Sequence, residues 1–168
     1  MNEAAPVSPT LRPARPGEAA AITELALRSK AHWGYPAEFI EACREELSCA
    51  EQDLRSTKLH VVVCEAAGRL VGYYMIEKLS DGSAELNALF VEPEFIGQGF
   101  GRRLVEAAKA DARDWGAAEM IVQGDPNADR FYSAAGGMPI GQRASGSIPN
   151  RFLPLYRIPL NQDTETPS

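Results

Sequence analysis

FIGQGFGRRL, residues 95–104, sets glycines at positions 97, 99 and 101 and follows them with two arginines. Glycine lets backbone N–H groups come close to an anion, and a helix starting here adds about half a positive charge at its N-terminus. Phosphate or pyrophosphate suits such a loop; a plain glycine turn without a ligand is the alternative. Spacing tests two common phosphate loops. The dinucleotide pattern G-x-G-x-x-G requires glycine at position 102, where Arg102 stands, and the glycine comes one place early at Gly101. The nucleotide P-loop requires Lys and then Ser or Thr after its last glycine, and this chain has Arg102 and Arg103 there. Both patterns fail.

Working outward, the loop lies between a strand and a helix. AELNALFVEP, ending at Pro93, reads as a strand. From Gly101 to Trp115 the apolar residues Leu104, Val105, Ala108, Ala112 and Trp115 recur at helical spacing, opposite Arg102, Glu106, Lys109 and Arg113. Upstream, a short strand near Thr10 to Arg12 precedes two amphipathic helices, Glu18 to Lys30 with acidic residues early and Ala37 to Leu47. HVVVCE and LVGYYMIEKL flank AAGR and predict an antiparallel hairpin. Downstream, AEMIVQ is a strand and NADRFYSAAGG a short helix. GQRASGSIPNRFLP reads as a long, polar, irregular loop, and FLPLYRIPL as a last strand that Pro154 and Pro159 assign to a sheet edge. The order predicts a mixed α/β sheet.

A chain of 168 residues, 45% hydrophobic, accommodates one domain with a full core. A net charge of −6 argues against a nucleic-acid binder and suits, weakly, a cationic substrate. No apolar run approaches the roughly 20 residues of a membrane span, and the N-terminus lacks the basic and apolar regions of a secretory signal. A cytoplasmic protein with no membrane partner is expected. Cys43, Cys49 and Cys64 lack CxxC spacing and read as free thiols; with only His32 and His60 beside them, no metal site is expected.

The spacing that does fit is x-x-G-x-G after a strand, in Ile96-Gly97-Gln98-Gly99-Phe100-Gly101. With LNALFVEPEF before it and DPNADRFYSAAGGM after it, the chain resembles the Gcn5-related N-acetyltransferase (GNAT) superfamily over nearly its whole length. The resemblance implies a single acetyltransferase domain over residues 10–160, with flexible tails at 1–9 and 161–168. It implies a mostly antiparallel sheet of about seven strands, helices on both faces, and a cofactor cleft between two splayed parallel strands. Acetyl-CoA is then the cosubstrate, and the acceptor is a primary amine of a small molecule or peptide; homodimers are common in the superfamily. A non-catalytic acyl-CoA-binding module on the same fold is the alternative.

Roles follow residue by residue from the same resemblance. The strand at Leu89, Phe90 and Val91 pairs with pantetheine, and an N–H there, that of Phe90 for one, polarises the acetyl carbonyl. The pyrophosphate falls to Ile96, Gly97, Gln98, Gly99, Phe100, Gly101 and Arg102, mostly through backbone donors. The first of these positions is usually Gln or Arg in the family, and Ile96 departs from that. Tyr132 is the expected acid that protonates the leaving thiolate, Phe131 beside it contacts the cofactor, and Asn127 contacts the cofactor or caps a helix. Glu85, eleven residues before Ile96, is the expected base acting through water; Asn87, two residues on, shares its strand face and helps order that water. His32, Trp33 and Tyr35 lie where the superfamily binds acceptors, as ligand contacts if exposed and core if buried. Arg143 or Arg151 is a candidate partner for an acceptor carboxylate.

Overall fold

The structure, a computed structural model, describes residues 8–160. Most of both expected tails, residues 1–7 and 161–168, lies outside the described residues. The chain runs β1 (Thr10–Pro13), α1 (Ala19–Ala31), α2 (Ala37–Leu47), β2 (Leu59–Ala66), β3 (Arg69–Lys78), β4 (Ala84–Val91), α3 (Phe100–Asp114), β5 (Glu119–Gln123), α4 (Asp129–Ala134), β6 (Met138–Ala144) and β7 (Phe152–Pro159). The strands form one seven-stranded sheet in the order β1-β2-β3-β4-β5-β7-β6. All pairings are antiparallel except β4 with β5.

Two apolar clusters cover the two faces of the sheet. Beneath α1, Ile22, Leu25 and Ala26 pack on Val61, Val63, Tyr73 and Met75. On the other face α3 inserts Leu104, Val105, Ala108 and Ala112 among Val62, Val71, Leu86, Met120 and Val122. These are the helical positions the periodicity predicted, and the alternation of β2 and β3 supplies both faces at once. The β2–β3 turn places Ala67 and Gly68 at φ 53° and 78°, the positive-φ pair that a two-residue hairpin needs.

Three local expectations are corrected. The acidic Glu18 lies just outside α1, turned to Arg12 at 2.8 Å, and the free amides of Gly17 and Ala19 are taken by Glu51 from 32 or more positions away. β7 is no edge strand: it lies between β5 and β6. Its prolines are tolerated because the β5 ladder runs only from Leu155 to Pro159, so Pro154 falls outside it and Pro159 ends it. Finally, β6 runs over Met138–Ala144 and so takes in residues 141–144 of the supposed loop, and it is the true edge. Every residue of β6 is exposed, so no alternation marked it in the sequence.

Candidate active site

The parallel pairing of β4 and β5 is short. It covers Ala84–Leu86 opposite Met120–Val122 and then stops, although β4 continues to Val91. The strands splay there, leaving one side of β4 without a ladder partner. Glu92 donates its N–H to the Val71 carbonyl at 2.8 Å. By the alternation of a strand, the N–H of Phe90 points the same way, toward β3, and those of Leu89 and Val91 point into the gap. This corrects the expectation for Phe90, whose side chain lines the cleft while its N–H serves the sheet. The β3–β4 register also slips between Met75–Ala88 and Ile76–Leu86, leaving Asn87 as an extra, bulged residue. Asn87 lines the same cavity as Glu85, and its amide donates to Glu77 Oε1 at 3.0 Å.

The glycine loop closes one end of the gap. Gly97 and Gly99 have φ of 88° and 89°, and a Cβ on either would meet nothing within 4 Å, so it is their backbone conformation that requires glycine. Gly101 differs: its φ is ordinary, but a Cβ would stand 3.2 Å from the Phe131 ring. Gly99 is the N-cap of the 15-residue α3, whose first turn has no acidic residue. Arg102 and Arg103 lie there instead, at the positive end of the helix dipole, with no ion-pair partner among the described residues. That arrangement favours an anion. Gly97, Gly99, Gly101, Arg102 and Ile96 line the cavity; Phe100 is buried in the core and Gln98 turns back to the Glu94 carbonyl, so these two offer only backbone. Ile96 is half-buried and packs against the α3 cluster.

From this loop a cavity of 1010 Å³ runs past Leu89, Phe90, Phe131 and Tyr132 to Glu85, Glu77 and Leu59 on the far side. Tyr132, on α4, is 7% exposed, and its hydroxyl has no hydrogen-bond partner among the described residues. Burial, then Tyr156 and Asp125, pushes its pKa above the ordinary phenol value. Gly124 allows its ring this position, since a Cβ there would lie 3.0 Å from it. Glu85 faces the cavity on β4 and is ion-paired with Arg143 at 2.7 Å. Arg143 is thus committed to Glu85 and not free for an acceptor.

The remaining expected residues gather around one carboxylate that the sequence reading passed over. Asp125 receives Lys30 at 3.0 Å, the Tyr35 hydroxyl at 2.9 Å and both the N–H and the amide of Asn127 at 2.8 Å. Arg151 donates to the Tyr35 hydroxyl at 2.9 Å and stacks on the ring of Phe39. Burial opposes the charge on Asp125, but Asn127 and Lys30 outweigh it and hold its pKa below the usual carboxylate value. The cap is therefore Asp125, not Asn127. Trp33, 45% exposed, lines the cavity, whereas His32 and Tyr35 do not. Lys30 and Tyr35 stand 90 or more positions from Asp125, so no spacing could have joined them to it.

Among the described residues no group of three or more His, Cys, Asp or Glu could hold a metal ion, and no helix is long and apolar enough to cross a membrane.

Comparison with known proteins bears on the family and the fold. The model of the acetyltransferase (GNAT) family matches residues 21–136. The uncharacterized N-acetyltransferase Rv2669 of Mycobacterium tuberculosis is 31% identical over 103 residues, 60% of this chain and 65% of that protein, so the match spans just under two thirds of the relative. The PaiA N-acetyltransferase of Thermoplasma acidophilum, solved with coenzyme A, superposes with a TM-score of 0.75 at 18% identity, over 90% of this chain and 99% of that one. YncA of Salmonella typhimurium, solved with its cofactor acetyl-CoA, gives 0.66 at 20% identity, over 96% and 99%. These two likenesses show the fold.

Proposed function

The chain belongs to the acetyltransferase (GNAT) family, and on that premise we propose that it is an acyl-CoA-dependent N-acetyltransferase that acetylates a primary amine of a small molecule or peptide. The observation that carries the reading is the continuity of one cavity, from a glycine-built helix start, along the free edge of β4, to a buried phenol, where the arginines and the phenol have no partner among the described residues.

Each residue then has a task. The loop amides from Gly97 to Arg102, with the Arg102 guanidinium, hold pyrophosphate. The amides of Leu89 and Val91 pair with the pantetheine arm, and one of them polarises the acetyl carbonyl. The amine nitrogen attacks that carbonyl carbon, the C–S bond breaks, and Tyr132 gives its proton to the thiolate; a phenol kept protonated by burial suits that duty. Glu85 takes the amine's proton through water. Arg143 shares that carboxylate, and its ion pair is the one observation that favours a non-catalytic acyl-CoA-binding module instead.

Thiol release from acetyl-CoA with a panel of primary amines decides between them. The enzyme releases thiol with at least one amine. Tyr132→Phe then lowers kcat by about 100-fold or more while acetyl-CoA binding stays within a few-fold, and Glu85→Gln lowers kcat by a similar factor. Tight acetyl-CoA binding with no release above background for any amine means the binding module is the right reading.

A further inference from the structure

The five tyrosines divide by what their hydroxyls meet. Tyr35 donates to Asp125 at 2.9 Å, Tyr74 to Asp111 at 2.6 Å and Tyr156 to Asp129 at 2.5 Å, and none of these three lines the cavity. The other two, Tyr73 and Tyr132, are 1% and 7% exposed, have no hydrogen-bond partner among the described residues, and both line the cavity. A buried hydroxyl left unpaired is costly, and phenylalanine would fill the same space without that cost. Tyr132 has its task beside the leaving thiolate. Tyr73 has none in the reaction as described above.

Its position indicates one. Tyr73 is on β3 directly opposite Phe90 of β4, their rings 6.0 Å apart. It belongs to the cluster beneath α1, whereas Tyr132 belongs to the cluster on the α3 face. The two unpaired phenols thus meet the cavity from opposite faces of the sheet, with the end of β4 between them. Around Tyr73 the wall is apolar: Leu47, Leu59, Met75, Ala88 and Phe90. Among the described residues no charged side chain hydrogen-bonds or pairs with the Tyr73 hydroxyl.

We propose that the Tyr73 hydroxyl is a specificity group for the acceptor. It hydrogen-bonds one oxygen or nitrogen carried within the apolar body of the amine. The acceptor class is then a primary amine on an apolar chain or ring that bears one further hydrogen-bonding group, distinct from a bare alkylamine. An apolar wall with a single placed polar group selects in this way, because an analogue without the matching group leaves the hydroxyl unpaired. The inference rests on the acetyltransferase reading above.

The test uses matched pairs of aliphatic and aromatic primary amines, with and without one hydroxyl or amide group, assayed by thiol release with wild type and Tyr73→Phe. The expected result is a loss of at least about tenfold in kcat/KM for the polar member of a pair in the variant. The bare member and the KM for acetyl-CoA stay as in wild type, and the melting temperature holds or rises, since phenylalanine removes a buried unpaired hydroxyl. The proposal is overturned if Tyr73→Phe handles every pair as wild type does, if it loses acetyl-CoA affinity, or if its melting temperature drops by several degrees, which would reveal a structural partner. A wild type that acetylates no amine overturns the acetyltransferase reading and this one together, and the wild-type arm alone shows it.

Discussion

Gly99→Ala tests whether the loop is an anion cradle or only a turn. At φ 89° and ψ 0°, Gly99 has the left-handed backbone that a Cβ disfavours by roughly 1–2 kcal/mol, and open space around it means that no clash adds to this. For a domain of this size that lowers the melting temperature by about 2–8 °C. If the loop relaxes to relieve the strain, the amides at the start of α3 turn away from the bound pyrophosphate. Losing one charge-assisted hydrogen bond costs about 1.5–3 kcal/mol, or roughly 10- to 100-fold in affinity. Gly101→Ala is the control. Its φ is ordinary and alanine favours a helix by up to about 1 kcal/mol, against a Phe131 ring that must yield a few tenths of an ångström. It should leave the melting temperature nearly unchanged. Thermal unfolding and calorimetric titration with acetyl-CoA measure both quantities. If Gly99→Ala melts lower as calculated yet binds acetyl-CoA as wild type does, the loop holds no anion through its amides and the reasoning fails.

Two further outcomes follow from the same structure. Glu92, with its side chain 6% exposed, is held by Arg28 from α1 at 2.7 Å, and that guanidinium lowers its pKa. A depressed carboxyl stabilises the fold above its unfolded value near 4.3 and loses that contribution as pH falls through the folded value. Arg28→Met should destabilise the protein by roughly 1–3 kcal/mol near pH 7, since Arg28 is half-exposed, with wild type and variant converging in urea titrations as pH falls below the unfolded value and through the depressed folded one; a pH-independent difference would contradict the linkage. Ile96→Arg puts a cation where a half-buried side chain packs on the α3 cluster. Acetyl-CoA affinity should rise and the melting temperature fall by a few degrees, whereas unchanged or weaker affinity would mean the backbone carries the contact unaided.

Much of the candidate site was legible because its signals are local. Glycines at alternate positions between a strand and a helix are a contiguous pattern, and so is the Phe131-Tyr132 pair ahead of Gly136. The periodicity of Leu104, Val105, Ala108 and Ala112 marked the buried face of α3 for the same reason. What was misread depended on partners elsewhere. Arg143 looked like a free cation in a polar loop, but β7 fixes β6 beside it and brings that arginine to Glu85. Asn127 looked like a cap because the residue that does cap, Asp125, gains its importance from Lys30 and Tyr35 on the other side of the cleft.

The sequence alone indicated the family, most of the elements and the glycine loop, since each follows from spacing within one segment, where backbone geometry converts neighbours in the chain into neighbours in space. Only the tertiary structure decided which β4 amides are free, that Asn87 is bulged, and which tyrosines lack a partner. Those facts depend on strand register and on side chains that meet across many tens of residues, and no pattern within a single segment encodes the distance between two segments.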